Sequence, residues 1–189
     1  VLIFTIYLND NTTMKKLTTL AAAALTGVAL LIGNNVKAQM KSTDPSPWRL
    51  GIGLEAGAPT GNAHTGSNFE LGGTARLQYG ADKGLAWTLT SGYYNFFGKN
   101  IAPGVSTSSA GIVPVKAGLK AYFADNIYFG AEAGAGFETV SGGNTKLILS
   151  PGLGWSTKTL DIGARYENFS GQGNNYGLVG LRIAYGFAL

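Results

Sequence analysis

The feature that most restricts this chain is an alternation of apolar with polar or glycyl residues, which recurs in eight runs of about 8 to 12 residues between Trp48 and Phe187. In the first run Trp48, Leu50, Ile52, Leu54, Ala56 and Ala58 interleave with Arg49, Gly51, Gly53, Glu55 and Gly57. The others span residues 69–80, 85–94, 113–123, 127–138, 147–155, 160–167 and 178–187. Successive side chains of a strand point to opposite faces, so each run reads as a strand with one apolar face and one polar or small-residue face. Strands of soluble proteins are usually about five or six residues long. A tilted strand that crosses a bilayer needs about 9 to 11. An even number of long strands predicts an all-β fold, an eight-stranded antiparallel up-and-down transmembrane β-barrel over residues 48–189.

The connections alternate as well. Residues 81–84, 124–126 and 156–159 are short turns, whereas 59–68, 98–111, 141–145 and 170–175 are generally longer and rich in Gly, Ser, Asn and Thr. In an outer membrane barrel the short turns face the periplasm and the long loops face outward.

Which face meets lipid is decided by the charges. On the polar face lie Arg49, Arg76, Lys116, Lys120, Arg165 and Arg182, and with them Glu55, Glu70, Glu132, Glu138, Asp161 and Glu167. Equal numbers of opposite sign suit an internally paired network, because an unpaired charge inside a narrow barrel costs several kcal/mol. Composition supports this placement. The 29 glycines among 189 residues are about twice the usual share, and the 13% of charged residues is about half of it. A solvated exterior needs more charge, while a lumen packed with long side chains needs glycine to make room.

Aromatic residues form two tiers. Trp48, Tyr79, Trp87, Phe123, Phe129, Trp155, Tyr185 and Phe187 fall near the short-turn rim, and Phe69, Tyr93, Phe137, Tyr166 and Tyr176 near the other. Such girdles place amphipathic rings at headgroup depth on both sides of an aliphatic belt, so outer membrane lipid is the first expected partner.

Ahead of the strands, Met14, Lys15 and Lys16 precede an apolar run from Leu17 to Ile32 and the small residues Val36 and Ala38. This is the pattern of a signal peptide over 14–38, cleaved between Ala38 and Gln39, with 39–47 as a periplasmic N-terminal segment. The run is shorter than the roughly 20 residues of a spanning helix. Residues 1–13 read as an upstream mis-assigned start. Removing 1–38 takes away Lys15, Lys16, Lys37 and Asp10, so the net charge of +4 falls to +2. Without a later Lys/Arg cluster, nucleic acid is not an expected partner.

The residues from 48 to 189 resemble the small outer membrane β-barrel protein family, being similar in size and pattern to OmpA-like and OmpX-like transmembrane domains. The resemblance is carried by Gly130 to Gly136 (Gly-Ala-Glu-Ala-Gly-Ala-Gly), by the Ala124-Asp125-Asn126 turn, and by the C-terminal Leu178-Val179-Gly180-Leu181-Arg182-Ile183-Ala184-Tyr185. The last segment is similar to the signal read by the barrel assembly machinery, which implies that partner during insertion. A monomer is expected, with an extracellular or periplasmic protein as a further partner.

Catalytic and cofactor chemistry finds little support. There is no Cys, which removes disulfides, thiolate metal sites and Cys nucleophiles. The single His, His64, lies in a loop, where a solvated side chain is the simpler reading than a Ser/His/acid arrangement. Glu132 and Glu138 stand six residues apart on one strand, about 20 Å, too far for an acid/base pair. The sequence therefore names no catalytic, metal or cofactor residue. It leaves three roles to compare: a structural or surface-interaction barrel, a narrow pore or small-solute carrier, and a lipid-modifying enzyme.

Overall fold

The computed structural model describes residues 47–81, 84–102, 105–172 and 174–189. In chain order the elements are β1 (Trp48–Gly61), α1 (Asn62–Gly66), β2 (Ser67–Ala81), β3 (Leu85–Gly98), β4 (Asn100–Ala102), β5 (Val105–Ser106), β6 (Ala110–Ala124), β7 (Ile127–Glu138), β8 (Thr145–Ser156), β9 (Leu160–Gly171) and β10 (Tyr176–Ala188). The signal peptide read over 14–38, the Ala38/Gln39 cleavage site and nearly all of 39–47 lie outside the described residues.

Eight of the strands close into one barrel in the order β1-β10-β9-β8-β7-β6-β3-β2. Every neighbouring pair is antiparallel. The closing pair, β1 with β10, runs from Arg49↔Ala188 to Gly61↔Tyr176. Closure leaves no unpaired edge, which is what a sheet must achieve where lipid offers no hydrogen bonds. The fold is thus an eight-stranded antiparallel up-and-down transmembrane β-barrel, as the alternation requires.

Parity sets the two faces. On β1, Leu54 is 70% exposed and its neighbour Glu55 1%. The same reversal runs round the barrel, with Leu89, Leu153, Leu181 and Ile183 exposed and Thr90, Lys116, Glu167 and Arg182 buried. A soluble protein hides its aliphatic residues and exposes its charges; this one does the opposite, which fits a lipid exterior.

Turn chemistry fixes the short rim. Between β6 and β7 only Asp125 and Asn126 intervene, and Asn126 takes φ 70, a left-handed conformation that Asn tolerates better than most residues. On the same rim the Leu189 N–H donates to the Trp48 carbonyl, at 3.2 Å.

The long rim holds more structure than the sequence suggests. Residues 62–66, read as loop, form the single helical turn α1, and the longest connection carries the two-stranded ribbon β4–β5. Both are too short for periodicity to reveal. The barrel strands also run further outward than the alternation does, with β3 continuing to Gly98. One outer-tier aromatic is corrected. Tyr176 shares the parity of Leu178 and turns into the lumen, where its ring stacks on Phe169 at 4.9 Å and its hydroxyl donates to Glu138 Oε1 at 3.1 Å.

Candidate functional site

Since the charged residues all share the inward parity, the candidate site is the lumen itself. Long side chains enter so narrow a space only if their neighbours are small. The register supplies this: Glu55 pairs with Gly72, Arg76 with Gly51, Lys116 with Gly134, Glu132 with Gly118, Arg165 with Gly152 and Gly180, and Arg182 with Gly163. The backbone approaches most closely at two of these glycines. A Cβ at Gly134 would run into the Val115 carbonyl and the Lys116 backbone, and one at Gly118 into the Ala131 carbonyl and Glu132. The glycine excess of the composition therefore lies directly opposite the scarce charges.

Those charges meet across strands far apart in sequence. Glu132 on β7 accepts from Arg76 Nη2 of β2 at 3.1 Å, from Thr90 Oγ1 at 2.7 Å and from Thr88 Oγ1 at 3.2 Å, with Lys116 Nζ 3.5 Å away. Lys116 also pairs with Glu167, which receives Arg165 Nε at 2.7 Å. Arg165 reaches Glu55 as well, and Glu55 is approached by Arg182 Nε at 3.3 Å and by the Thr74 hydroxyl at 2.7 Å. Nearer the short rim Lys120 pairs with Asp161, whose other oxygen accepts from the Tyr128 hydroxyl at 2.8 Å. Nearer the long rim Glu138 accepts from the Asn144 N–H at 3.0 Å and lies 4.0 Å from Lys146.

The pairing is not one to one. Glu132 serves two cations, and Arg165 two carboxylates. Arg49 makes no ion pair among the described residues; its Nη1 donates to the Thr157 carbonyl at 2.6 Å. Glu70 is fully buried, and neither of its oxygens has a hydrogen-bond partner there. A seventh lumenal cation, Lys146, sits one residue before the sixth alternating run and is held mainly by the Gln172 and Asn174 carbonyls. Carrying the parity back by that one residue would have found it.

Sequence parity also hid an apolar tier. Tyr94, Phe96, Ile112, Ile148, Phe169 and Leu178 point inward and form one buried cluster beneath the long rim, with Tyr176 packed against it. Phe96 meets Phe169 edge-on at 6.2 Å and Tyr176 at 6.0 Å. At the opposite end Ala86, Tyr122 and Tyr128 form a smaller cluster. Between them a cavity of about 40 Å³, bordered by Arg76, Lys120, Glu132, Arg165 and Arg182, has room for a few waters at most.

On the outside, Trp48, Tyr79, Trp87, Phe123, Trp155, Tyr185 and Phe187 are exposed near the short rim, and Phe129 is half-buried there. Trp48 leans on Tyr79 at 4.8 Å. Phe69, Tyr93, Phe97, Phe137 and Tyr166 are exposed toward the long rim. His64 lies exposed on α1, where its backbone carbonyl accepts from Lys99 Nζ. No hydroxyl or carboxylate bonds its ring among the described residues, and no group of acids and His there is placed to hold a metal.

A closed eight-stranded barrel with an apolar exterior and a charged interior defines a class, the small outer membrane β-barrels. No family model and no curated protein matches the sequence. Solved structures do match. The crystal structure of Ail, the attachment invasion locus protein of Yersinia pestis, is similar over 75% of this chain and 99% of its own, with 16% identity and a TM-score of 0.55. Ail in complex with the heparin analogue sucrose octasulfate is similar over 74% and 97%, with 16% identity and a TM-score of 0.52. The N-terminal β-barrel domain of Pseudomonas aeruginosa OprF matches over 72% and 97%, with 14% identity and a TM-score of 0.48. At such identities the Ail structures carry the fold: this chain is built as those barrels are.

Proposed function

We propose that this protein is an integral outer membrane β-barrel with a closed lumen, and that its role is structural or lies in surface interaction through its outer loops. The observation that carries this reading is the filled interior. Ion-paired side chains occupy the middle, the Tyr94–Leu178 cluster closes the long-rim end and Tyr122 and Tyr128 narrow the other. Eight strands enclose a space that side chains can fill, and here they fill it. The charged network acts as a scaffold that holds the strands in register, and the aromatic tiers hold the barrel at its depth in lipid. Export by the signal peptide over 14–38 and insertion by the barrel assembly machinery belong to the same reading.

A narrow pore is disfavoured by the two end clusters, and lipid-modifying chemistry by the isolation of His64. The loops remain. Residues 62–66, 99–109, 139–144 and 172–175 are built mainly from Ser, Thr, Asn, Gly and Ala, with Lys99 their one Lys or Arg. That amine is occupied by the His64 carbonyl and Asn68 Oδ1. Such loops offer hydroxyls and amides, so a partner recognised by hydrogen bonds fits them better than a polyanion such as the heparin analogue that Ail binds in its crystal.

Planar-bilayer recording of the purified barrel tests the reading. Repeated insertions without stepwise current are expected, with insertion checked separately by the folded band on an unboiled gel. Reproducible single-channel steps would replace it by the pore.

A further inference from the structure

Near the short rim, on the lumen side of β1 and β10, two guanidinium nitrogens are buried with no hydrogen-bond partner: Arg49 Nη2 and Arg182 Nη2. Arg182 is only 2% exposed. Both residues border one small cavity of about 10 Å³, together with Arg76, Gln78 and Asp161. Glycine shapes that space on both strands. The Arg49 guanidinium lies where a Cβ of Gly186 would be, and the position of a Cβ at Gly51 is open to 3.7 Å from Arg182 Nη2. The cavity is thus a pocket for one particle close to a water molecule in size, bordered by two arginines that each keep an unpartnered nitrogen and by the Asp161 carboxylate that Lys120 already pairs.

Charge decides what that particle is. Arg76 is matched by Glu132, Lys120 by Asp161, and Arg182 shares Glu55 with Arg165. Arg49 has no carboxylate, and the one lumenal acid outside the ion pairs, Glu70, lies further along the barrel beside the apolar cluster, cross-strand from Gly57 and Phe96. The short-rim end therefore carries an excess positive charge, with Arg182 buried and Arg49 half-buried but its Nη2 enclosed, and an uncompensated charge there is costly in a way that a neutral water does not offset. We infer that this pocket binds a single small monovalent anion of chloride size, held by Arg49 and Arg182 as an integral part of the lumenal network.

The sequence makes the test clean. The only sulfur atoms are in Met14 and Met40, ahead of β1, so the barrel itself contains none. Long-wavelength anomalous diffraction from crystals grown in chloride should show one lumenal peak between Arg49 and Arg182; density there without anomalous signal would mean a water and would overturn the inference. In detergent solution at equal ionic strength, the unfolding midpoint of the unmodified barrel should be higher in chloride than in gluconate, as ligand binding to the folded state requires. Gly51→Ala fits at ordinary contact distances but takes up the pocket, and Arg49→Met removes the excess charge; both should abolish the difference. A chloride effect that survives Gly51→Ala unchanged would place its origin on the surface and overturn the inference equally.

Discussion

The middle of the lumen and its outer end are filled by opposite means. In the middle Glu132, Glu167, Lys116 and Arg76 are buried and joined by ion pairs and threonine hydroxyls; at the outer end Phe96, Ile112, Ile148 and Leu178 pack as an ordinary apolar core. The first arrangement is stabilising only while every partner stays in place, since a stranded buried charge keeps its desolvation cost. The second depends on volume and tolerates chemical variation. A barrel built this way fills its lumen by two means: ion pairs tie strands together across its middle, and the apolar tier closes the space beneath the loops.

Three substitutions probe that contrast, each read as the shift in unfolding midpoint of the folded band in detergent. The largest effect is expected from Glu132→Gln, which leaves Arg76 and Lys116 short of a carboxylate and should cost about 3 to 5 kcal/mol. Leu178→Ala opens a cavity in the apolar tier and should cost about 2 to 4 kcal/mol. Because the charged middle remains beneath it, that variant should stay silent in bilayers; current through it would show that the aromatic tier alone closes the barrel. Glu70→Gln should be the mildest, within about 1 kcal/mol of the unmodified protein or more stable than it, since its carboxylate makes no hydrogen bond to lose. A loss as large as that of Glu132→Gln would erase the distinction between networked and isolated lumenal acids.

The same contrast explains what could be read from sequence. Strand parity is local, so Leu54 outside and Glu55 inside follow from the β1 residues alone. Ion-pair partners are not local: Lys116 and Glu167 meet across the lumen because closure brings β6 within reach of β9, three strands round the barrel, and no spacing in the chain encodes that. Ile148 and Leu178 stand on the polar parity, yet alternation shows only which way a side chain points and not what surrounds it. Its place near a rim puts Tyr176 on the lipid side, but parity with Leu178 is the stronger signal. The ribbon β4–β5 and the turn α1 depend on contacts made above the barrel, such as Thr107 Oγ1 donating to the Gly66 carbonyl at 2.5 Å.

In this barrel the aliphatic face meets lipid and the charged face is enclosed. The absence of Cys allows single cysteines to be placed one at a time from position 48 to 58 and labelled with nitroxide in a reconstituted bilayer. Collision with oxygen, which concentrates in lipid, should peak at positions 50, 52, 54 and 56, and collision with a water-soluble nickel complex should stay low there. Nickel accessibility peaking at those same positions would instead place the aliphatic face in water and the barrel outside the membrane.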